Sequence, residues 1–461
     1  MSLVTPERVA APGNDESQAT KDEHAIDLAA LVEFIKKRAR GSFTMKVAGA
    51  GLGFVVHLTI ARSIGVSEYG IYALMLSWIS VLAVVAQFGQ DSGVLRFLPA
   101  YAVRESWGLI KGLRRGSSLL VLGFSLLISC GGLAYVHWHL SNQSLPLIRT
   151  FDVGFLLLPV LALLQQSGAL HRALKHAAES DFYVLIVRPL ALVLLVASLH
   201  FLAPSLLSAP LVAALSLVSA VVALAWSDLR LRIHWPVRAH TAQPEYQMGA
   251  WVKVGAQLSL LSVMMVTSTT MGSLVIGAFL GAKRVGPYYA AVQLAGFASF
   301  GFTAINTILA PMIAEYHAAG RHKLLAELMR TAARITFLST TVLSLGLAVF
   351  GRHLLTLFGP GFAVAYAPLL ILLLGEWLNT CAGSVGYLLI MTRFQKQAPV
   401  IFLCGVVSSL FLAILIVPVW GLTGMALSTV VGWVVWNIVA LTYVYKKLRI
   451  NPTVFQWRRS A

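Results

Sequence analysis

An acidic side chain stands within one of the most apolar stretches of the chain. Glu376 lies in the run Leu-Leu-Leu-Gly-Glu-Trp-Leu, and Asn379, Thr380 and Gly383 follow it at helical spacing on one polar face. A carboxylate deep in hydrocarbon is costly unless a proton or a cation neutralises it. We therefore predict an ion-coupling role for Glu376, beside cavity-lining Asn379 and Thr380. The alternative is a buried carboxyl that a basic neighbour satisfies for packing alone.

Three cations could bind an anionic group. Lys46 and Lys253 occupy corresponding places near the starts of the first and seventh apolar spans, and Arg188 lies deeper in its span, beside Pro189. Around a common cavity these side chains would attract a diphosphate headgroup, so we predict that they bind substrate. Because both lysines lie within about two turns of a helix end, the alternative for them is extension to the membrane surface.

The seventh span is unusually polar for a helix in lipid. Gln257 follows Lys253 by one turn, and Ser268 belongs to a run of four hydroxyl residues at 267–270. We predict a cavity-lining helix that can bend, with interhelical hydrogen bonding as the alternative.

His57 is interpreted as a packed neutral imidazole. No nucleotide-binding loop, serine-hydrolase elbow or zinc-protease motif occurs in the sequence, so we expect no catalytic residue, no cofactor and no metal.

The elements that hold these residues must be transmembrane helices. Of the 461 residues, 58% are apolar and only 11% are charged, less than half of the roughly 25% usual in soluble domains. Mean hydropathy is +0.78, which excludes an ordinary soluble enzyme and predicts an all-α integral membrane protein. The twelve predicted spans are 42–63, 70–89, 117–139, 151–170, 182–203, 206–227, 251–280, 287–310, 332–350, 364–390, 398–418 and 422–444.

The charge distribution predicts the orientation. The segment 1–33 contains seven acidic and two basic side chains, a net charge of −5, and the remainder of the chain carries +22. With the amino terminus inside, 30 of the 35 basic residues lie on or near the cytoplasmic side, as the positive-inside rule requires. We therefore expect both termini in the cytoplasm and no binding of nucleic acid.

A repeated motif predicts two halves. Gly65, Gly70 and Tyr72 after the first span match Gly281, Gly286 and Tyr288 after the seventh, with one constant offset along the chain. Two parallel six-helix bundles are expected, with the substrate cavity between them.

Tyrosines near span ends, including Tyr69, are predicted to anchor at the membrane interface. The predicted units are a disordered cytoplasmic tail (1–33), an N-terminal bundle (34–228), a cytoplasmic linker (229–250), a C-terminal bundle (251–446) and a basic cytoplasmic tail (447–461).

The motif after the first span identifies a similar family. Ala61-Arg62, Gly65, Tyr69-Gly70 and Tyr72 resemble the signature of Wzx-type polysaccharide flippases, and the stretches 89–101 and 281–289 are similar to further motifs of that family. The resemblance implies the multidrug/oligosaccharidyl-lipid/polysaccharide exporter fold, a MATE-like arrangement of twelve helices. The related lipid II flippase has an arginine–aspartate pair early in span one, where this chain has Lys46 and no acidic residue, so a lipid II substrate is not expected.

The resemblance implies a transport function that involves no covalent reaction. The resemblance implies an inner-membrane flippase that moves an undecaprenyl-diphosphate-linked oligosaccharide by alternating access for cell-surface polysaccharide synthesis, coupled to protons or sodium, with polysaccharide polymerase machinery as a partner. One alternative is a cation-coupled multidrug antiporter, which would be expected to present an acidic cavity. The other is a membrane glycan polymerase or acyltransferase. Such an enzyme would be expected to have a sizeable external loop, whereas the outward connections between spans are short here.

Overall fold

The computed structural model describes residues 28–392, 394 and 397–454, with backbone alone for 28–43 and 261. Residues 1–27 of the predicted amino-terminal tail and 455–461 of the predicted carboxyl-terminal tail lie outside the described residues. The described chain is helical and contains no strand. A π-helical turn spans Tyr183–Val187, and 3₁₀ turns span Pro204–Leu206 and Phe362–Ala365. The α-helices are α1 (Leu28–Gln87), α2 (Gln90–Val103), α3 (Trp107–His139), α4 (Leu145–Ala173), α5 (Ala177–Phe182), α6 (Arg188–Leu202), α7 (Ala209–His234), α8 (Val237–Thr241), α9 (Met248–Leu280), α10 (Ala282–Ala298), α11 (Phe300–Ala318), α12 (His322–Leu357), α13 (Tyr366–Cys381), α14 (Val385–Ile390) and α15 (Ala398–Leu448).

Twelve crossings follow from helix length. Within the described ranges, nine helices are long and apolar enough to span a membrane, and the bent pair α10 and α11 makes a tenth. Helices α1 and α15 have 60 and 51 residues, or about 75–90 Å at 1.5 Å per residue, against a hydrocarbon core of about 30 Å. Each contains a non-helical glycine, Gly65 and Gly421. Counting each as two crossings gives twelve, six before and six after the linker.

The two halves repeat one another in backbone conformation. Gly65 has φ 77° and ψ 173°, and Gly281 has φ 81° and ψ 162°. Both residues have a positive φ in a conformation that is favourable only for glycine. Both lie between the first and second spans of their half. We name the side on which these glycines lie the distal face, and the side of Thr44 and Leu448 the terminal face.

Hydroxyl contacts of the repeated motif are also equivalent. The Tyr72 hydroxyl lies 2.9 Å from Ser216 Oγ, and the Tyr288 hydroxyl lies 3.4 Å from Thr429 Oγ1. In each half a buried tyrosine of the second span therefore meets a hydroxyl of the sixth. This correspondence confirms the prediction of two parallel six-helix bundles.

The halves are packed together at the distal face. A Cβ atom built on Gly70 would collide with the Ala282 carbonyl oxygen, and one on Gly286 would lie 3.0 Å from the Val66 carbonyl oxygen. The repeated glycines thus allow the second span of each half to meet its counterpart with backbone against backbone. Arg62 Nε donates a hydrogen bond of 2.6 Å to a carbonyl of the other half, that of Leu357.

At the terminal face, the start of α9 is fastened to the first half. Trp251 is buried, and its indole Nε1 donates to the Tyr101 hydroxyl, which itself donates to Gln247 Oε1, each over 3.0 Å. The backbone of Gly255 in α9 meets that of Gly89 closely enough to exclude any side chain at either position. The linker therefore holds the second half against α2 and α3.

Two helices differ from their predicted spans. The eighth is bent by 52° at Ser299, whereas the seventh, predicted to bend, is an unbroken helix. The tenth, predicted as 364–390, is interrupted after Cys381. There the Pro452 carbonyl occupies the space that a Cβ atom on Gly383 would need, and the Val454 amide donates to the Cys381 carbonyl over 3.2 Å. The carboxyl-terminal segment thus occupies the interruption, and hydropathy gives no signal for such a contact.

Candidate substrate site between the halves

Arg188 is presented by an irregular turn. The π-helical turn Tyr183–Val187 precedes it, and Pro189 follows it at the start of α6. Proline has no N–H and its ring collides with the carbonyl four residues earlier, which a wider π turn relieves. That earlier residue, Leu185, packs against Gly49 of α1. Arg188 lies eleven residues beyond Ala177, or about 16 Å along the helix.

Groups from both halves surround the Arg188 guanidinium. Its electrostatic neighbours are His57 and Tyr72 of the first half and Tyr289 of the second. The His57 ring lies 5.2 Å from that of Tyr289 and 6.2 Å from that of Tyr69, measured between centroids. We call these five residues the central cluster. It joins the two bundles where a substrate cavity was predicted.

Several polar atoms of the central cluster have no partner. Arg188 Nε, His57 Nδ1 and the Tyr69 hydroxyl are buried without a hydrogen bond within the described part of the chain. Among the same residues, none of the salt bridges neutralises Arg188. The Arg188 side chain is half-buried. An anion with several acceptor oxygens would satisfy this set of groups.

The two predicted lysines have different surroundings. Lys46 Nζ donates to Thr307 Oγ1 of the second half over 3.3 Å, which links α1 to α11. Lys253 is exposed on α9 near the terminal face. The three predicted substrate-binding cations therefore do not form one contact group, and the alternative of surface extension stays open for Lys253.

Glu376 is buried within the second half. No hydrogen bond or salt bridge to its carboxylate is found among residues 44–392 and the described residues that follow them. One turn later, Asn379 Oδ1 accepts a hydrogen bond of 2.8 Å from Asn437, and Thr380 donates to the Glu376 carbonyl over 3.0 Å. The predicted polar face thus connects the tenth span with the twelfth, and the basic neighbour of the packing alternative is not found in the described region.

Hydroxyl groups of the seventh span bond to their own helix. Ser268, Thr269 and Thr270 each donate to a carbonyl three or four residues earlier in α9. Ser268 also lines a small cleft against α15, whereas Gln257 is exposed. These three described hydroxyls form no hydrogen bond to another helix, and α9 is not broken beside them. Neither of these two features therefore explains why residues 267–270 are polar.

The structure corrects the reading of the repeated tyrosines. Tyr69, Tyr72 and Tyr288 are 0–1% exposed and therefore are not interface anchors. With His57 and Tyr289, Tyr69 and Tyr72 are the members of the central cluster that the sequence did not predict as site residues. The signal for Tyr69 and Tyr72 was their place in the repeated motif, since a glycine within two residues of a tyrosine indicates close helix packing rather than a lipid surface.

The sequence model of the polysaccharide biosynthesis protein family matches residues 40–317. This match covers more than half of the chain. The chain belongs to this family. Curated proteins give no sequence match.

Solved structures of the MOP superfamily share the fold of this polysaccharide biosynthesis protein. An inward-facing multidrug-resistance MATE transporter has a TM-score of 0.73 at 13% identity, covering 87% of this chain and 94% of its own. A MOP transporter from Pyrococcus furiosus has 0.66 at 12%, covering 92% and 98%. The lipid II flippase MurJ in an inward closed conformation has 0.65 at 13%, covering 87% of each chain. The protein is thus a multi-pass membrane protein with the MATE-like fold that the sequence predicted.

Proposed function

We propose that this protein is a flippase that moves an undecaprenyl-diphosphate-linked oligosaccharide across the bacterial inner membrane by alternating access, with both termini in the cytoplasm. Membership of the polysaccharide biosynthesis family supports the sugar polymer as the end product. The observation that carries the proposal is Arg188, a cation within a membrane-spanning helix that lies between the halves and has no acidic partner among the described residues.

The charge of the site favours an anionic substrate over a cationic drug. A diphosphate cannot cross about 30 Å of hydrocarbon unaided, because burying its charges costs many kcal/mol. Arg188 offers a guanidinium whose fork matches phosphate oxygens, and the unpaired Tyr69 hydroxyl of the central cluster adds a neutral donor. A cationic drug would meet the same positive charge without a carboxylate to offset it.

Lys46 supports a path to this site from the lipid. It joins α1 to α11 by one side-chain hydrogen bond near the terminal face. Separation of these two helices would open a lateral gap, through which a prenyl chain could stay in lipid while its headgroup enters. Lys46 would then meet the diphosphate first and Arg188 would hold it.

We also propose that Glu376 couples transport to a proton or sodium gradient. A carboxylate that is buried without a cationic neighbour must acquire a proton or a metal cation to remain there. The amides of Asn379 and Asn437 lie one turn away and could contribute an oxygen to an ion. Glu376 can therefore change its charge with the gradient.

The sidedness of the lipid-linked oligosaccharide tests the proposal. In cells that lack this protein, we expect the intermediate to accumulate on the cytoplasmic leaflet and surface polymer to disappear, with both restored by the wild-type gene. Normal sidedness without polymer would instead indicate a polymerase or acyltransferase. Normal sidedness with normal polymer would support a drug antiporter.

Coupling is tested in the same cells. Glu376→Gln should lower flipping at unchanged expression, because the amide cannot exchange charge. Glu105→Gln, which changes an exposed carboxyl at the terminal face, is the matched control and should flip normally. Full flipping by Glu376→Gln would show that this carboxyl is structural.

A further inference from the structure

Two histidines and a glutamate converge at the terminal face of the first half. His171 ends α4, Glu179 lies in α5, and His234 ends α7. Glu179 Oε2 lies 3.2 Å from His234 Nδ1 and 3.8 Å from His171 Nδ1. One atom from each of the three side chains lies within 4.8 Å of the other two, so a single small ion could contact all three.

The protonation of His171 leaves its free nitrogen facing the carboxylate. His171 Nε2 lies 3.1 Å from the Ser227 carbonyl oxygen. A carbonyl can only accept, so Nε2 carries the hydrogen and a neutral ring presents a lone pair at Nδ1. That lone pair and Glu179 Oε2 are both acceptors. Two acceptors that face each other over 3.8 Å repel unless a proton or a metal cation lies between them.

The converging atoms are not satisfied otherwise. In the described part of the chain, His171 Nδ1, Glu179 Oε2 and His234 Nδ1 are buried and have no hydrogen bond. Buried polar atoms are nearly always paired, and three unpaired atoms directed at one point indicate a missing ligand. The Ser227 carbonyl orients the His171 ring as an outer partner orients a metal-bound imidazole.

The charges around the cluster leave one carboxylate oxygen for an ion. Arg230 Nη2 and His176 Nδ1 lie 3.9 and 3.8 Å from Glu179 Oε1, the other oxygen of the carboxylate. The His176 ring stacks on that of His234 at 4.3 Å between centroids. Glu179 would therefore bind through Oε2 alone.

We propose that His171, Glu179 and His234 form a binding site for a divalent transition metal of the zinc class. Two imidazole nitrogens and one carboxylate oxygen form a donor set that zinc accepts in proteins, with water at a fourth position. Calcium and magnesium prefer six or more oxygen ligands, which this cluster does not offer. The ion would fasten the terminal ends of α4, α5 and α7 together, just before the π-helical turn that positions Arg188.

Metal titration of the purified full-length protein tests this site. After treatment with a chelator, the wild type should bind one equivalent of Zn²⁺ in competition with a chromophoric chelator. Co²⁺ should then give the visible absorption of a four-coordinate nitrogen and oxygen site. Zn²⁺ should also raise the temperature of unfolding, which is a readout that does not depend on transport.

Variants locate the ion. Loss of an outer-shell partner weakens metal binding roughly 10–100-fold, so Glu179→Gln and His234→Ala should weaken Zn²⁺ binding at least about 100-fold. His240→Ala removes an exposed histidine of the same face and should bind as the wild type does. Equal affinity of Glu179→Gln and wild type would overturn the proposal.

A measurement on the wild type alone covers the case in which these variants fail to fold. X-ray absorption of the zinc-loaded protein should show imidazole nitrogens at about 2.0–2.1 Å. Wild-type protein that binds no Zn²⁺ at micromolar concentration, or an oxygen-only coordination shell, would also refute the site.

Discussion

Replacing Arg188 by methionine should make the protein more stable and inactive. The substitution removes a charge and a buried donor but keeps an unbranched chain of similar reach. Because Arg188 Nε has no hydrogen bond within the described residues, the change removes no hydrogen bond of this atom from the folded protein without substrate. The same charge is needed for the diphosphate in the proposed mechanism, so flipping should fail.

The size of the effect follows from the surroundings of the side chain. An unsatisfied buried donor costs about 1–3 kcal/mol. Because the Arg188 side chain is half-buried, we expect the lower part of this range, a gain of about 1–2 kcal/mol in the free energy of unfolding.

Arg62→Met is the matched comparison because Arg62 is paired. Its Nε donates to the Leu357 carbonyl over 2.6 Å between the halves. Loss of a hydrogen bond costs about 0.5–1.5 kcal/mol, and because Arg62 and Leu357 are exposed we expect the lower end of that range. The two arginine substitutions should therefore shift stability in opposite directions.

Thermal unfolding in detergent, followed by tryptophan fluorescence at one scan rate, measures both shifts. Flipping is measured in cells by the sidedness assay, and Arg188→Lys shows whether a point charge can replace the guanidinium fork. If Arg188→Met lowers the unfolding temperature as Arg62→Met does, Arg188 is a structural residue. If Arg188→Met flips normally, the central cluster does not bind the substrate.

Two close backbone contacts give further predictions. Gly70→Ala should separate the halves at the distal face and reduce flipping at least severalfold, because its Cβ would collide with the Ala282 carbonyl; Gly53→Ala, with open space around the Cβ position, is the control in the same flipping assay. Gly383→Ala should destabilise the protein by at least about 1–2 kcal/mol, since a left-handed conformation costs that much for a residue with Cβ. It should also release the segment at Pro452, measured by limited proteolysis, whereas Gly346→Ala should not.

Hydropathy and internal repetition were sufficient to predict most of the fold. Spans of about 20 apolar residues give crossings directly because every backbone polar group must be satisfied within the helix. The repeated motif around Gly65 and Gly281 was sufficient to predict the two halves, since both glycines adopt the same conformation with positive φ. The break after Cys381 was not predictable, because it depends on a contact with Pro452, which is distant in the chain.

The candidate site was only partly predictable. Arg188 and Glu376 stand out in sequence because a charge among apolar residues is rare and costly. His57, Tyr72 and Tyr289 do not, because each is also common as a packing residue, and only the fold brings them to one guanidinium. The cluster at Glu179 had no sequence signal, since its two histidines are far apart in the chain and are joined by helix packing.

The central cluster also explains how substrate binding could be linked to movement of the halves. Arg188 and His57 belong to the first half and Tyr289 to the second, so one diphosphate could bond to both. A ligand shifts a conformational equilibrium only by its difference in affinity between the two states. Groups that are unpaired without substrate and that come together from two bundles provide such a difference, because they can all bond to the ligand only while the bundles are in contact at this level. Movement of Tyr289 away from Arg188 would separate the groups that bind the headgroup. The affinity for the headgroup would then fall when the two halves separate at this level, and the headgroup would be released.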